Sequence, residues 1–205
     1  METLAPAHIE LGVAAIALPG QTRSGDLHLV KPFSNGILVA ALDGIGHGEE
    51  AARAARKACG ILEGHAEEPV ISLVRQCHEG LRATRGVAMS VASLNVVQEL
   101  MTWVGVGNVQ GILLRPSLTS TPQEESLLLR AGVVGVQLPP LQAAVLPLSG
   151  GDRLIFATDG IREDFPRALA RNQVPQKAAE MILAQHRKAT DDALVLVARY
   201  LGNHK

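Results

Sequence analysis

Near the start of the chain, apolar residues alternate with polar ones or form short continuous runs, as they do in β-strands. Two turn signals, Pro19-Gly20 and Ser34-Asn35-Gly36, interrupt these runs. An Asn-Gly pair between apolar segments favours a tight hairpin. The pattern therefore predicts three early strands, over residues 9–18, 26–33 and 36–42.

After Gly48 the apolar spacing changes to that of an α-helix. Small and apolar residues recur every three or four positions, which places them on one face of a helix. A second helical pattern starts at Pro69, a residue suited to a first turn, and reaches about residue 83; a third runs from Pro175 to about residue 186. The face of the first helix carries Ala51, Ala55, Ala58 and Leu62.

Strand patterns return after Gly86 and fill most of the remaining chain. Residues 115–125 contain two prolines with several serines and threonines, so we expect a solvated loop between hairpin partners there. This order of elements predicts an α+β fold with mainly antiparallel sheets, in a single domain of residues 1–205. The expected strands cover residues 87–97, 100–106, 109–115, 126–131, 143–148, 153–157 and 192–201.

The composition argues against several classes of binding partner. Lys and Arg total 19 against 20 Asp and Glu, for a net charge of -1, so no basic surplus is present to bind a nucleic-acid backbone or an anionic membrane. One Trp, one Tyr and three Phe give few platforms on which unpaired bases stack. We therefore expect neither nucleic acid nor a membrane as a partner.

The sequence also indicates a location. No apolar run approaches the roughly 18 to 20 residues of a membrane-spanning helix, and the first residues lack the basic-then-apolar order of a secretory signal. Cys59 and Cys77 fall in different helical patterns without metal-ligand spacing. Two free thiols are expected in a reducing compartment, so we expect a cytoplasmic protein.

Aspartate recurs where predicted strands begin or end. An ionised carboxylate beside an apolar strand needs a cation to offset its desolvation. Because neither a Cys-x-x-Cys pair nor a His pair accompanies these aspartates, hard cations such as Mg²⁺ or Mn²⁺ suit them better than zinc. The four positions are Asp26, Asp43, Asp159 and Asp191.

The motifs around these aspartates follow one order along roughly the whole chain. They are Ser24-Gly25-Asp26, Asp43-Gly44-Ile45-Gly46-His47-Gly48, Gly107-Asn108, residues 151–161, and Asp191-Asp192. Together they resemble the metal-dependent protein phosphatase family (PPM, the type 2C serine/threonine phosphatases). The likeness is closest to the bacterial sporulation and stress-response branch, and within it to the stand-alone phosphatases of the stressosome.

The resemblance implies an αββα sandwich, two mainly antiparallel sheets flanked by helices, with metal ions between the sheets at one edge. By position, Asp43 corresponds to the ligand that bridges two Mn²⁺ or Mg²⁺ ions, and Gly44 to a carbonyl ligand. Asp159 and Asp191 correspond to the other protein ligands, and Asp26 to a residue that acts through metal-bound water. These four aspartates are the expected catalytic residues.

The same resemblance implies a reaction. Two ions about 3.5 to 4 Å apart share a bridging water and lower its pKa from 15.7 towards about 7, which gives a hydroxide that attacks phosphorus without a covalent intermediate. The implied substrates are phosphoserine and phosphothreonine on partner signalling proteins, and within the stress-response branch these are STAS-domain proteins of a stressosome.

Two further residues are candidates for the site. His47 stands two positions beyond the usual family histidine and is a candidate to protonate the leaving oxygen. Arg23 lies close to Asp26 in sequence and is a candidate to hold the substrate phosphate. Leu194 occupies a position where many relatives carry Thr or Ser, and we expect it to pack within a strand.

Two other functions stay open on the sequence alone. One is a non-catalytic binding or regulatory module with the phosphatase fold. The other is a nucleotide-binding, kinase-like domain that uses the glycine-rich residues 44–48 before a helix. That alternative leaves Asp159 and Asp191 without a role, and Glu49 stands where the dinucleotide fingerprint requires its last glycine.

Overall fold

The computed structural model describes residues 8–116, 122–165 and 167–202. Two sheets stack face to face, and helices cover their outer faces. The strands are β1 Ile9–Ile16, β2 Asp26–Phe33, β3 Gly36–Gly44, β4 Val87–Asn95, β5 Leu100–Val106, β6 Gln110–Leu114, β7 Glu124–Ser126, β8 Leu129–Arg130, β9 Ala144–Pro147, β10 Arg153–Ala157 and β11 Ala193–Tyr200. The helices are α1 Glu49–Gly64, α2 Val70–Leu81, α3 Arg167–Asn172 and α4 Pro175–His186.

The predicted α+β sandwich is confirmed. The first sheet has the order β1-β11-β10-β6-β7, with antiparallel neighbours throughout. The second has the order β2-β3-β4-β5-β8, and β9 also pairs with β5. Its neighbours are antiparallel except for the short β5–β8 pair. Chain segments distant in sequence are therefore neighbours, as in the pairing of β1 with β11.

Three apolar layers hold the sandwich together. The layer between the sheets includes the fully buried Trp103 and Phe156. On the outer face of the second sheet, the alanine face of α1 packs closely, and a Cβ on Gly44 would lie 2.2 Å from the Ala51 carbonyl oxygen. Helices α3 and α4 cover the first sheet. None of the described helices combines the length and apolar character that a membrane span requires.

The structure corrects some predicted elements. The expected strand over residues 126–131 is wrong, because the chain passes there from β7 in the first sheet to β8 in the second. Helix α3 was not predicted, since six residues are too few to show a helical period. In the first hairpin, Phe33 pairs with Gly36, so the turn residues are Ser34 and Asn35. Part of the expected loop over residues 115–125, residues 117–121, lies outside the described residues.

Candidate metal centre

The predicted aspartates meet at one edge of the sandwich. Asp26, at the start of β2, pairs in register with Asp43, near the end of β3. The Thr158 hydroxyl, directly after β10, donates to Asp26 Oδ2 at 2.6 Å, and the Leu194 N–H donates to that hydroxyl at 2.9 Å. Thr158 thus ties the second sheet to the first and places Asp159 beside the Asp26–Asp43 pair.

The two aspartates before β11 have different surroundings. Asp192 is buried, and its carboxylate accepts the Leu18 N–H at 2.7 Å and the Gly25 N–H at 2.6 Å. Asp192 therefore fastens the β1–β2 connection to the start of β11. Asp191 is half-buried and accepts the Asp192 N–H at 2.9 Å. Its charge raises the pKa of Asp43, which places it within the cluster.

An amide side chain joins the cluster from the β5–β6 connection. Asn108 Nδ2 donates to Asp159 Oδ2 at 2.7 Å, and hydrogen bonding by Asn108 also opposes the rise in the pKa of Asp43. The bond leaves the other carboxylate oxygen of Asp159 available to a further partner. Asn108 thus orients Asp159 at the cluster.

The carboxylates of the cluster disfavour one another's charge. Burial raises the pKa of Asp26 to about 8, with a further rise from the charge of Asp43. Burial also raises the pKa of Asp43 to about 7, followed by the charges of Asp159 and Asp191. The pKa of Asp159 is raised by burial and by Asp191, against which Lys188 acts in the opposite direction. Without a bound cation, the carboxylates of the cluster therefore cannot all be ionised at neutral pH.

This donor set suits divalent cations. Among the residues the structure describes, no group of three or more His, Cys, Asp or Glu side chains is arranged to hold an ion by side chains alone. Mg²⁺ commonly binds through one or two carboxylates and keeps several waters, so it does not require a complete protein cage. These carboxylates form no salt bridge with Lys or Arg in the part of the chain that the structure describes, and they lie at a partly open edge, so they fit one or more such hydrated ions.

The raised pKa values predict how stability depends on pH when no metal is bound. The folded-state values of Asp26 and Asp43, about 8 and about 7, exceed the ordinary value of 3.8. Between these limits the folded protein binds more protons than the unfolded chain, so its stability falls as pH rises. In EDTA, the melting temperature is expected to fall from about pH 5 to about pH 8, and less steeply in Asp26→Asn. A wild-type melting temperature that rises across this range would contradict the cluster's electrostatics.

The glycine-rich turn after β3 brings α1 to the same edge. Gly46 and Gly48 have φ values of 92° and 76°, which L side chains rarely adopt. The turn follows β3, which lies between β2 and β4 and is antiparallel to both. A dinucleotide-binding turn joins a parallel strand to its crossover helix. The dinucleotide-binding form of the nucleotide alternative therefore does not match this fold.

The structure offers less support for Arg23 and His47 as residues of the site. The Arg23 guanidinium is exposed and pairs with Glu49 at 3.1 Å. His47 is exposed on the glycine-rich turn and makes no hydrogen bond or ion pair with the rest of the described chain. Neither side chain is held towards the acidic cluster by a described contact.

Several residues at this edge were not predicted as site residues. Thr158 and Asp192 fix the geometry of the cluster. Their positions next to Asp159 and Asp191 in the sequence could have identified both as site residues. Lys188 has no such signal, because only the fold brings it to Asp159. A cavity of about 360 Å³ opens there, and its lining includes Asn108, Asp159 and Lys188.

The fold is that of the PP2C-type, or PPM, phosphatases. A solved chain from work on the bacterial stressosome, described as a modular system adapted to control secondary messenger signaling, is 32% identical, with a TM-score of 0.87, covering 93% of this chain and 99% of that one. The structure of RsbX in complex with magnesium is 21% identical, with a TM-score of 0.85, covering 96% of this chain and 97% of that one.

A family profile and a curated relative give a narrower assignment. The profile described as Stage II sporulation protein E (SpoIIE) matches residues 34–201. The chain belongs to the SpoIIE family. Phosphoserine phosphatase RsbX of Bacillus subtilis (strain 168) is 30% identical over 110 residues, which are 54% of this chain and 55% of that protein. The match thus spans about half the length of that curated relative.

Proposed function

We propose that this chain is a metal-dependent protein serine/threonine phosphatase. The observation that carries the proposal is the acidic cluster, Asp26, Asp43, Asp159 and Asp191, gathered where the two sheets meet; among the described residues none of the four forms a salt bridge with Lys or Arg, although the charge of Lys188 acts on Asp159. Membership of the SpoIIE family supports it. Solved relatives also hold divalent metals, with magnesium in RsbX and two manganese ions in PstP.

In this proposal, two Mn²⁺ or Mg²⁺ ions are held by Asp43, the Gly44 carbonyl, Asp159 and Asp191. Asp26 contributes through a bound water, which suits its burial behind Asp43 and its hydrogen bond from Thr158. When bound, such ions supply Lewis-acid stabilisation of the phosphoryl oxygens and lower the pKa of a water.

The remaining side chains position the substrate and the ligands. Asn108 fixes the orientation of Asp159 through its 2.7 Å hydrogen bond. Lys188 projects a positive charge at the cavity beside Asp159, where a phosphate ester or acidic residues of a phosphoprotein would bind. Its backbone N–H donates to the Gly160 carbonyl at 2.7 Å, which anchors this position next to the cluster. We therefore assign to Lys188 the phosphate-positioning role first considered for Arg23.

The change Lys188→Gln tests that assignment. We expect KM for a phosphothreonine peptide to rise about threefold with kcat nearly unchanged, since an exposed ion pair contributes little and equally to bound substrate and transition state. The matched control is Lys177→Gln on the exposed surface of α4. Arg23→Ala should leave KM unchanged, because Arg23 pairs with Glu49. A rise in KM for Arg23→Ala but not for Lys188→Gln would reverse the assignment.

We infer that the substrates are phosphoserine or phosphothreonine residues on partner signalling proteins, with STAS-domain stressosome proteins as the first candidates. The support is the likeness to phosphoserine phosphatase RsbX and to a chain from the stressosome. A panel of phosphorylated STAS proteins and unrelated phosphoproteins tests the specificity. Faster dephosphorylation of the STAS proteins is expected; a panel in which they are the poorest substrates would contradict this partner class while leaving the phosphatase assignment intact.

We also propose a cytoplasmic location. Cys59 and Cys77 are free thiols, and burial raises their pKa values to about 11 and about 12. Such thiols stay protonated and unreactive at neutral pH. Two unpaired cysteines fit a reducing compartment better than an oxidising one.

A further inference from the structure

A second cavity of about 360 Å³ lies at the other end of the first sheet. Arg153, the first residue of β10, and Arg199, near the end of β11, contribute to its wall. The acidic cluster lies after the end of β10 and before the start of β11. The two sites are therefore separated by at least the length of β10, about 17 Å for its five residues.

Four arginines from four separate elements converge on this cavity. They lie at the end of β6, at the start of β10, in α3 and near the end of β11, and each is at least half-buried. Arginine is normally exposed to solvent. The described lining contains no carboxylate and no aromatic side chain; it consists of Arg115, Pro116, Gly151, Arg153, Arg171, Asn172 and Arg199.

Two of these arginines have carboxylate partners that are not part of the cavity lining. Arg115 pairs with Asp152 at 2.6 Å and with Glu125 at 3.6 Å. Arg199 pairs with Glu10 at 3.1 Å. These ion pairs hold the guanidinium groups in place, and the partners do not line the cavity itself.

The other two arginines are held by backbone carbonyl groups. Arg153 donates to the carbonyl oxygens of Ala170 and Gln173, each at 2.5 Å. Arg171 donates to the carbonyls of Arg115 and Gln123. Neither has an ion-pair partner among the described residues. Their positive charge is thus positioned without a direct ion pair. Burial and the charge of Arg199 lower the pKa of Arg153, and the charge of Glu10 acts in the opposite direction.

We propose that this cavity binds a small oxyanion of the phosphate type. Guanidinium groups present planar N–H pairs that match the oxygens of a phosphate group. The half-buried, concave arrangement favours a small ligand over an extended chain, and the lack of aromatic lining gives no stacking surface for a nucleobase. Recognition therefore rests on charge and N–H geometry, and inorganic phosphate and pyrophosphate are the probes of that chemistry.

Isothermal titration of the full chain in EDTA measures this binding apart from any metal-dependent site. Wild type is expected to bind pyrophosphate at one site, and phosphate more weakly. Arg199→Gln should weaken pyrophosphate binding about tenfold, equivalent to about 1.4 kcal/mol. Its side chain has no backbone anchor among the described contacts, so the fold should be retained. Arg171→Gln is a second variant from a different element.

Two controls locate the site. Arg82→Gln removes the same charge at the exposed end of α2 and should change affinity less than about twofold, as expected for a distant, screened charge. Asp43→Asn, in the acidic cluster, should keep wild-type affinity for pyrophosphate. The proposal is overturned if wild type does not bind pyrophosphate, or if Arg199→Gln and Arg171→Gln both keep wild-type affinity. It is also overturned if Arg82→Gln loses as much affinity as these two variants.

Discussion

Asp43→Asn is expected to reduce phosphate release from a phosphothreonine peptide by more than about 100-fold, since even residues that only support metal ligands commonly contribute 10- to 100-fold. Asp43 lies at the centre of the cluster, and Asp159, Asp191 and Asp192 all raise its pKa. An amide offers one neutral oxygen where the proposed site uses a charged carboxylate. Loss of charge should weaken divalent-metal binding as well as turnover.

The matched control for this substitution is Asp164→Asn. Asp164 is a highly exposed carboxylate a few residues after Asp159. Its substitution by Asn therefore removes the same charge near the same edge without altering the cluster. We expect near wild-type turnover in that control. In EDTA at neutral pH, Asp43→Asn should melt above wild type, because it removes repulsion from the cluster. Full activity in Asp43→Asn would contradict a role for this carboxylate in metal binding.

Asp192→Ala is expected to lower the free energy of unfolding by about 3 kcal/mol, since one buried and one partly buried N–H group lose their acceptor at about 1 to 3 kcal/mol each. Those donors are Leu18 and Gly25, on either side of the β1–β2 connection. Asp192 also repels Asp26 and Asp43, but its charge is among the smaller causes of their raised pKa values. The loss of hydrogen bonds should therefore outweigh the relief of repulsion.

Urea unfolding with saturating Mn²⁺ measures this effect, with Asp164→Ala as the exposed control. The free energy of unfolding of Asp192→Asn should lie between those of wild type and Asp192→Ala. The Asn side chain keeps one acceptor oxygen but turns an NH₂ group towards the second N–H. A change below about 0.5 kcal/mol in Asp192→Ala, the range of ordinary surface substitutions, would show that these hydrogen bonds do not secure the connection.

Local pattern predicted most of the strands and the positions of the acidic residues. The bounds of β2, β5 and β10 follow directly from apolar runs between turn residues. The resemblance to the PPM family implied that Asp26 and Asp43 share one edge, and the register places them opposite each other. Their proposed role as metal-site residues still depends on the mutants described above.

Contacts between distant segments limited what the sequence predicted. Nothing local to residues 126–131 indicates that the chain changes sheets there, because that depends on how the two sheets stack. Lys188 lies in the segment after α4, and only the tertiary fold brings it close to Asp159. The arginine-lined cavity likewise forms where residues at the ends of three strands, β6, β10 and β11, pack near α3. No local sequence motif predicts this arrangement.

Hydrolysis of a single phosphothreonine peptide by wild type, first in EDTA and then after restoring Mn²⁺ or Mg²⁺, tests the proposed metal-dependent phosphatase most directly. The acidic cluster predicts negligible phosphate release in EDTA and recovery with either ion, because the buried carboxylates need the cations to act. Release that is equally fast in EDTA, or absent with both metals, would contradict the account.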